Sequence, residues 1–418
     1  MKTSLKFAAG GAALALALTA CGGDTESADP STATSSNSSS SSMASTDATS
    51  MDASATAAAT LRADLTGLLH DHVWLAGNAL QTAVLKKGNL KDAQVMGAVS
   101  ALDNNSVELS KAIGAAYPDA EAPFLASWRQ HIGFFVDYTL GKATKDKAKV
   151  AKATKDLDGY RTGFGQLINS VVPELPADAV ADELKPHVAS LLSAIDAAVA
   201  SDPSFQSKLR ASSHHMIMTA GILADGIAKN KKIEGDAMGT ASTTRATLTG
   251  QLNDHVWLAG NALQTAVRQG GDLKDKQVAG AVKALDDNSV ELSKTIGSVY
   301  PDAEAPFLDS WRQHIGFFVN YTLGKATKDD AMVEKAKTDL DGYRTSFGQL
   351  INSVVPELPA DAVADELTPH VASLLTAIDA AVANDPMFQQ KLDESAHHMT
   401  MTAATLTSGI VANKMIMD

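Results

Sequence analysis

The chain has 418 residues, with 48 acidic side chains against 35 basic ones and a net charge of −13. That balance excludes an electrostatic grip on nucleic acid or on anionic lipid. Its single cysteine excludes an internal disulfide and a cysteine-built haem attachment.

In chain order, Lys2 and Lys6 give a positive start, and Phe7 to Thr19 is an apolar run too short to span a bilayer as a mature helix. The run ends in Leu18-Thr19-Ala20-Cys21. Residues 1–20 read as a signal peptide, and these last four residues resemble a bacterial lipobox. The resemblance implies a lipoprotein cut before Cys21 and acylated on its thiol. It would sit on the extracytoplasmic side of the cell membrane, held there by its lipid anchor. Residues 21–56 are Ser, Thr, Ala and Asp with almost nothing large and apolar, which predicts a disordered tether.

The remainder repeats itself. His72-Val73-Trp74-Leu75-Ala76-Gly77-Asn78 recurs as His255-Val256-Trp257-Leu258-Ala259-Gly260-Asn261, and Trp128-Arg129-Gln130-His131 recurs as Trp311-Arg312-Gln313-His314. The offset is 183 residues each time (255 − 72, 314 − 131). This places one copy at 57–231 and the other at 240–418, joined by a polar stretch around Lys231, Lys232, Glu234 and Asp236. Each copy is of single-domain size and is expected to fold alone.

Within the first copy, apolar spacing and breakers predict helices at 58–86, 91–116, 120–141, 146–172, 178–200 and 204–228. One stripe runs Leu61, Leu65, Leu68, Leu69, His72, Ala76; another runs Phe124, Trp128, His131, Ile132, Phe135. Long helices with short connections predict an all-α chain, a tandem duplication of an antiparallel up-and-down bundle with five to six helices per copy.

Ten of the eleven histidines form five matched pairs; His70 stands opposite Asn253. His72, His131, His187 and His215, with His255, His314, His370 and His398, fall on apolar stripes or near mid-helix. In an antiparallel bundle such residues meet at one level. Buried imidazoles need partners, and a transition metal satisfies several nitrogens at once. Met218 and Met401 follow His215 and His398 by three residues, and imidazole with thioether suits copper; zinc or iron fits imidazole with carboxylate. Asn105, Glu108, Asn288 and Glu291 are placed to support the ligands from the second helix of each copy. One alternative puts His187 outside the layer: Pro186, like Thr368-Pro369 ahead of His370, reads as a helix start, which puts the histidine in a first turn.

Other chemistries are not encoded. No Gly-rich phosphate loop, Gly-x-Ser-x-Gly or His-Glu-x-x-His occurs, and no nucleophile–base arrangement that would make an enzyme can be read. The ordered run from His72-Val73-Trp74-Leu75 through Asn105, His131-Ile132 and His187-Val188 to His215-Met216-Ile217-Met218 resembles a group of bacterial helical-bundle proteins. The resemblance implies inward histidines and supplies no activity. The expected function is an anchored extracytoplasmic metal-binding protein. Its alternatives are a structural or protein-interaction module of the cell envelope with a packed histidine layer, serving an unknown protein partner, and a bundle holding non-covalent haem.

Overall fold

The computed structural model describes residues 52–416; the signal, the lipobox and most of the tether lie outside them. The described residues are all-helical, with twelve α-helices and no strand. They are α1 (Ala57–Leu85), α2 (Ala93–Ala116), α3 (Glu121–Thr144), α4 (Lys147–Val171), α5 (Ala177–Ala200), α6 (Phe205–Lys231), α7 (Thr240–Arg268), α8 (Lys276–Val299), α9 (Glu304–Thr327), α10 (Asp330–Val354), α11 (Ala360–Ala383) and α12 (Phe388–Lys414). The bounds of α1–α6 fall within three residues of those predicted, and α7–α12 begin and end 183 residues after them.

The helix ends follow local chemistry. The Asp92 carboxylate caps α2 by accepting from Gln94 N at 3.0 Å, and Asp146 caps α4 through Lys149 N at 3.0 Å. Several C-termini close with a left-handed residue, at Lys145, Ser201, Lys232, Lys328 and Asn384. Helices such as α4 and α10 show one apolar face to the core and a charged face to solvent.

The first helix of each half departs from that pattern. Every residue from Leu65 to Leu80 in α1 is buried, as is every residue from Leu248 to Leu263 in α7. One face of α1 packs against α2, α5 and α6; the opposite face packs against α7 and α12. The core therefore runs continuously through both halves.

The seam between the halves is reciprocal. Trp74 Nε1 donates to Asp254 Oδ1 and Trp257 Nε1 donates to Asp71 Oδ1, each at 2.8 Å. The two indoles lie nearly parallel, 6.4 Å apart with 8° between planes. Asn78 donates to Asn261 at 3.2 Å. Arg62 reaches Ala237 O and Arg245 reaches Ser54 O, both at 2.8 Å. Gly97 and Gly280 lie against the Pro386 and Pro203 carbonyls of the opposite half so closely that a Cβ at either position would collide with the backbone. Indole and arginine groups without an acceptor would be costly here, so these reciprocal bonds fix the register of the two halves.

Candidate metal centre

Three helices of each half bring their central histidines together. α7, α9 and α11 carry His255, His314 and His370; α1, α3 and α5 carry His72, His131 and His187. All six are buried. The α5 and α11 histidines are mid-helix: Pro186 and Pro369 lie inside their helices, which begin at Ala177 and Ala360. The first-turn reading of His187 and His370 is thereby corrected. Pro176 and Pro359 occupy the N-cap positions that the inner prolines had suggested.

In the second half, one ring nitrogen from each of His255, His314 and His370 lies within 4.8 Å of the others. His255 Nε2 and His314 Nε2 are 3.2 Å apart. In the first half, His72 Nε2 and His131 Nε2 are 3.3 Å apart; His187 is near enough to depress both neighbours electrostatically.

Burial decides the charge of these rings. It pushes His72 and His314 down to about 3 and His187 and His370 down to about 4, with a neighbouring histidine adding in each case. Burial likewise holds His131 and His255 well below the usual imidazole value. At neutral pH all six rings are uncharged, and each offers one lone pair.

Hydrogen bonds then assign the tautomers. Trp311 Nε1 donates to His255 Nδ1 at 3.3 Å, so the His255 proton sits on Nε2. That N–H faces His314 Nε2, which must accept, so the His314 proton sits on Nδ1. There it has only the Trp311 carbonyl one turn back, not placed for a good hydrogen bond. Trp128, His72 and His131 repeat the chain, with Trp128 Nε1 to His72 Nδ1 at 3.2 Å. The Nδ1 atoms of His131, His187, His314 and His370 are all buried without a hydrogen-bond partner.

The walls are aromatic. Tyr343 stacks on His314 with centroids 4.8 Å apart, Trp311 meets it edge-on at 4.6 Å, and Phe318 lies 6.2 Å from His370. Tyr160, Trp128 and Phe135 do the same around His131 and His187.

Other sequence-predicted residues lie elsewhere. His215 and His398 are partly exposed and turn to Glu183 and Glu366: His215 Nε2 is 2.9 Å from Glu183 O and His398 Nε2 is 3.2 Å from Glu366 O. Met218 and Met401 are 56% and 60% exposed, so neither thioether reaches the buried rings. Asn105 and Asn288 are buried and donate to Leu68 O and Gln251 O, each at 3.0 Å; Asn105 also borders His72. Glu108 is exposed, and Glu291 pairs with Arg210 across the seam and accepts from Gln251 at 3.1 Å, so neither carboxylate supports the ligands.

Sequence reasoning missed the seam chemistry. His70, Asp71, Trp74 and Asn78 form a second stripe of α1, opposite His72, and all are buried. Their spacing of roughly four residues on an otherwise apolar helix was the available signal. No protein-family profile, curated protein or solved structure matches the chain.

Proposed function

We propose that the chain is a lipid-anchored extracytoplasmic protein that holds a transition-metal ion on three imidazoles in each half: His255, His314 and His370 in one, His72, His131 and His187 in the other. The observation that carries the reading is the convergence of three buried, uncharged imidazoles on one point in the second half, with His72 and His131 paired in the same way in the first. A tetrahedral ion bound at about 2.0–2.1 Å holds its nitrogens about 3.3–3.4 Å apart. The His255–His314 spacing of 3.2 Å already matches that, and His370 needs only a small approach. An all-imidazole set suits zinc, copper, nickel or iron. With the thioethers outside, the buried centre has no donor that selects copper. Haem does not suit it, because packed aromatic rings leave no gap between His255 and His314 for a macrocycle.

The architecture proposed with this function is a tandem duplication of an antiparallel six-helix bundle. Its support is the constant 183-residue offset of helix bounds and the short connections between neighbouring helices. The anchor rests on Leu18 to Cys21. None of the described helices is long and apolar enough to cross a membrane.

A second reading is a purely structural layer. It is favoured by the Trp311–His255–His314 hydrogen-bond chain, which is continuous without any ion. Metal analysis of untagged protein separates the two. The metal reading expects bound metal in the wild type, its loss in His131→Ala with His314→Ala, and a rise in Tm on adding Zn, Cu, Ni or Fe. A metal that binds only the folded chain adds about 2.7 kcal/mol at a hundredfold excess over Kd. No bound metal and no shift with any of the four would leave the structural layer.

A further inference from the structure

The last helix of each half carries soft donors that the buried centre does not use. His214 and Met218 lie four residues apart on α6, and His397 and Met401 occupy the matching places on α12. That spacing puts each pair on one helix face. The face is open to solvent: the His214 and His397 side chains are 48% and 60% exposed, and both methionines are more than half exposed. The intervening residues turn away. Met216 and Met399 are buried, and His215 and His398 face Glu183 and Glu366. The doubled histidine thus splits into one inward and one outward ring.

Each outward ring is backed by a carboxylate from the opposite half. His214 Nδ1 is 3.7 Å from Glu291 Oε1, and His397 Nδ1 is 3.9 Å from Asp71 Oδ2. Metal-binding histidines commonly rest one nitrogen on a carboxylate, which fixes the tautomer and frees the other nitrogen for the ion. Here each carboxylate lies beyond direct hydrogen-bond distance on the Nδ1 side of its ring, a negative charge that favours the proton on Nδ1 and the lone pair on Nε2. The two backing carboxylates come from different helices, Glu291 from α8 and Asp71 from α1, and the surrounding charges differ, with Arg210 beside one and Asp393 beside the other.

We propose that His214 with Met218, and His397 with Met401, each bind a monovalent copper ion on the protein surface. An imidazole nitrogen and a thioether sulfur form a soft, low-coordinate donor pair that favours Cu(I) over zinc or calcium. The proposal is independent of the buried imidazoles. It makes the seam a place where the chain takes up copper directly from solvent or from another carrier.

The test is anaerobic titration of the full chain with Cu(I) in competition with a chromogenic Cu(I) chelator. Met218→Leu with Met401→Leu keeps the size and apolarity of both exposed side chains, so folding is preserved. This variant should lose two equivalents of Cu(I), or bind them at least tenfold more weakly, with zinc uptake unchanged. His214→Ala with His397→Ala should show the same loss. His131→Ala with His314→Ala, which removes a ligand from each buried centre, should retain both surface equivalents even if it abolishes zinc binding, so the surface sites and the buried centres stand or fall separately. Equal Cu(I) uptake by wild type and the double-leucine variant would overturn the proposal.

Discussion

Trp311 donates its indole N–H to His255 Nδ1 at 3.3 Å, and this bond opposes the tautomer that a metal needs. An ion on His255 Nε2 displaces the proton to Nδ1, where it meets another donor. Binding therefore breaks a buried hydrogen bond worth about 0.5–1.5 kcal/mol. Trp311→Phe removes the competing donor and keeps an aromatic wall. Zinc affinity, measured by competition with a zinc indicator, should rise about twofold to tenfold even though the smaller ring lowers Tm. Unchanged or weaker binding would mean that His255 Nε2 is not a ligand.

Six buried neutral imidazoles make the metal-free chain sensitive to acid. Their folded pKa values are depressed, four of them to about 3 or 4. The unfolded chain binds protons near pH 6.5 and the folded chain does not, so stability is full above 6.5 and falls as pH drops below it. Each group costs about 1.4 kcal/mol per pH unit in that window, so six cost about 8. Against a total stability of about 5–15 kcal/mol, unfolding should be complete by roughly pH 5. Far-UV circular dichroism against pH checks this; a chelator-treated chain still helical at pH 4 would contradict the burial of these rings.

How much of this was legible in the sequence depended on which forces are local. Caps such as Asp92 and Asp146 and breakers such as Pro118 act within a few residues, so helix bounds could be read closely. His72 and His131 could be grouped because both lie on apolar stripes. Met218 and Met401 could not be placed: three-residue spacing from His215 and His398 gives a neighbouring position on the helix, but which part of that face meets solvent is set partly by helices such as α1, far away in the chain. The seam was illegible for the same reason. Asp71 and Trp257 are 186 residues apart, and nothing in either local sequence says that they meet. Trp128 could be placed on an apolar stripe, but the N–H partners of Trp128 and Trp311 emerge only from packing.

The anchor makes a cellular prediction. If Leu18-Thr19-Ala20-Cys21 is a lipobox, Cys21→Ser removes the only thiol in the chain and with it the acylation site. The variant should leave the membrane fraction or accumulate with its signal uncut, a mass difference visible by electrophoresis. Fractionation and migration like the wild type would remove the lipoprotein reading without touching the metal centre.

The two sides of the seam differ in charge, and that difference has a measurable pH signature. At the first, Asp254 accepts from Trp74 and Ser213 and lies 3.5 Å from Arg210. At the second, position 393 holds an aspartate where the first half has Arg210. Asp393 is thus set beside Asp71, Glu108 and Glu394, and one of its oxygens is buried without a hydrogen-bond partner. Burial first, then these like charges, raises its pKa well above the usual carboxylate value. A raised folded pKa means that stability is unaffected below about pH 3.9, where both states are protonated, and declines as pH climbs toward the folded value. Asp393→Asn keeps the shape and removes the charge. It should raise Tm at pH 7–8, by an amount that shrinks to nothing as pH approaches about 4. Asp254→Asn, at the arginine-bearing side, should do the opposite at neutral pH, because it strips Arg210 of a buried counter-charge. Matching Tm changes in the two variants at pH 7.5 would show that the seam does not discriminate between its two carboxylate environments.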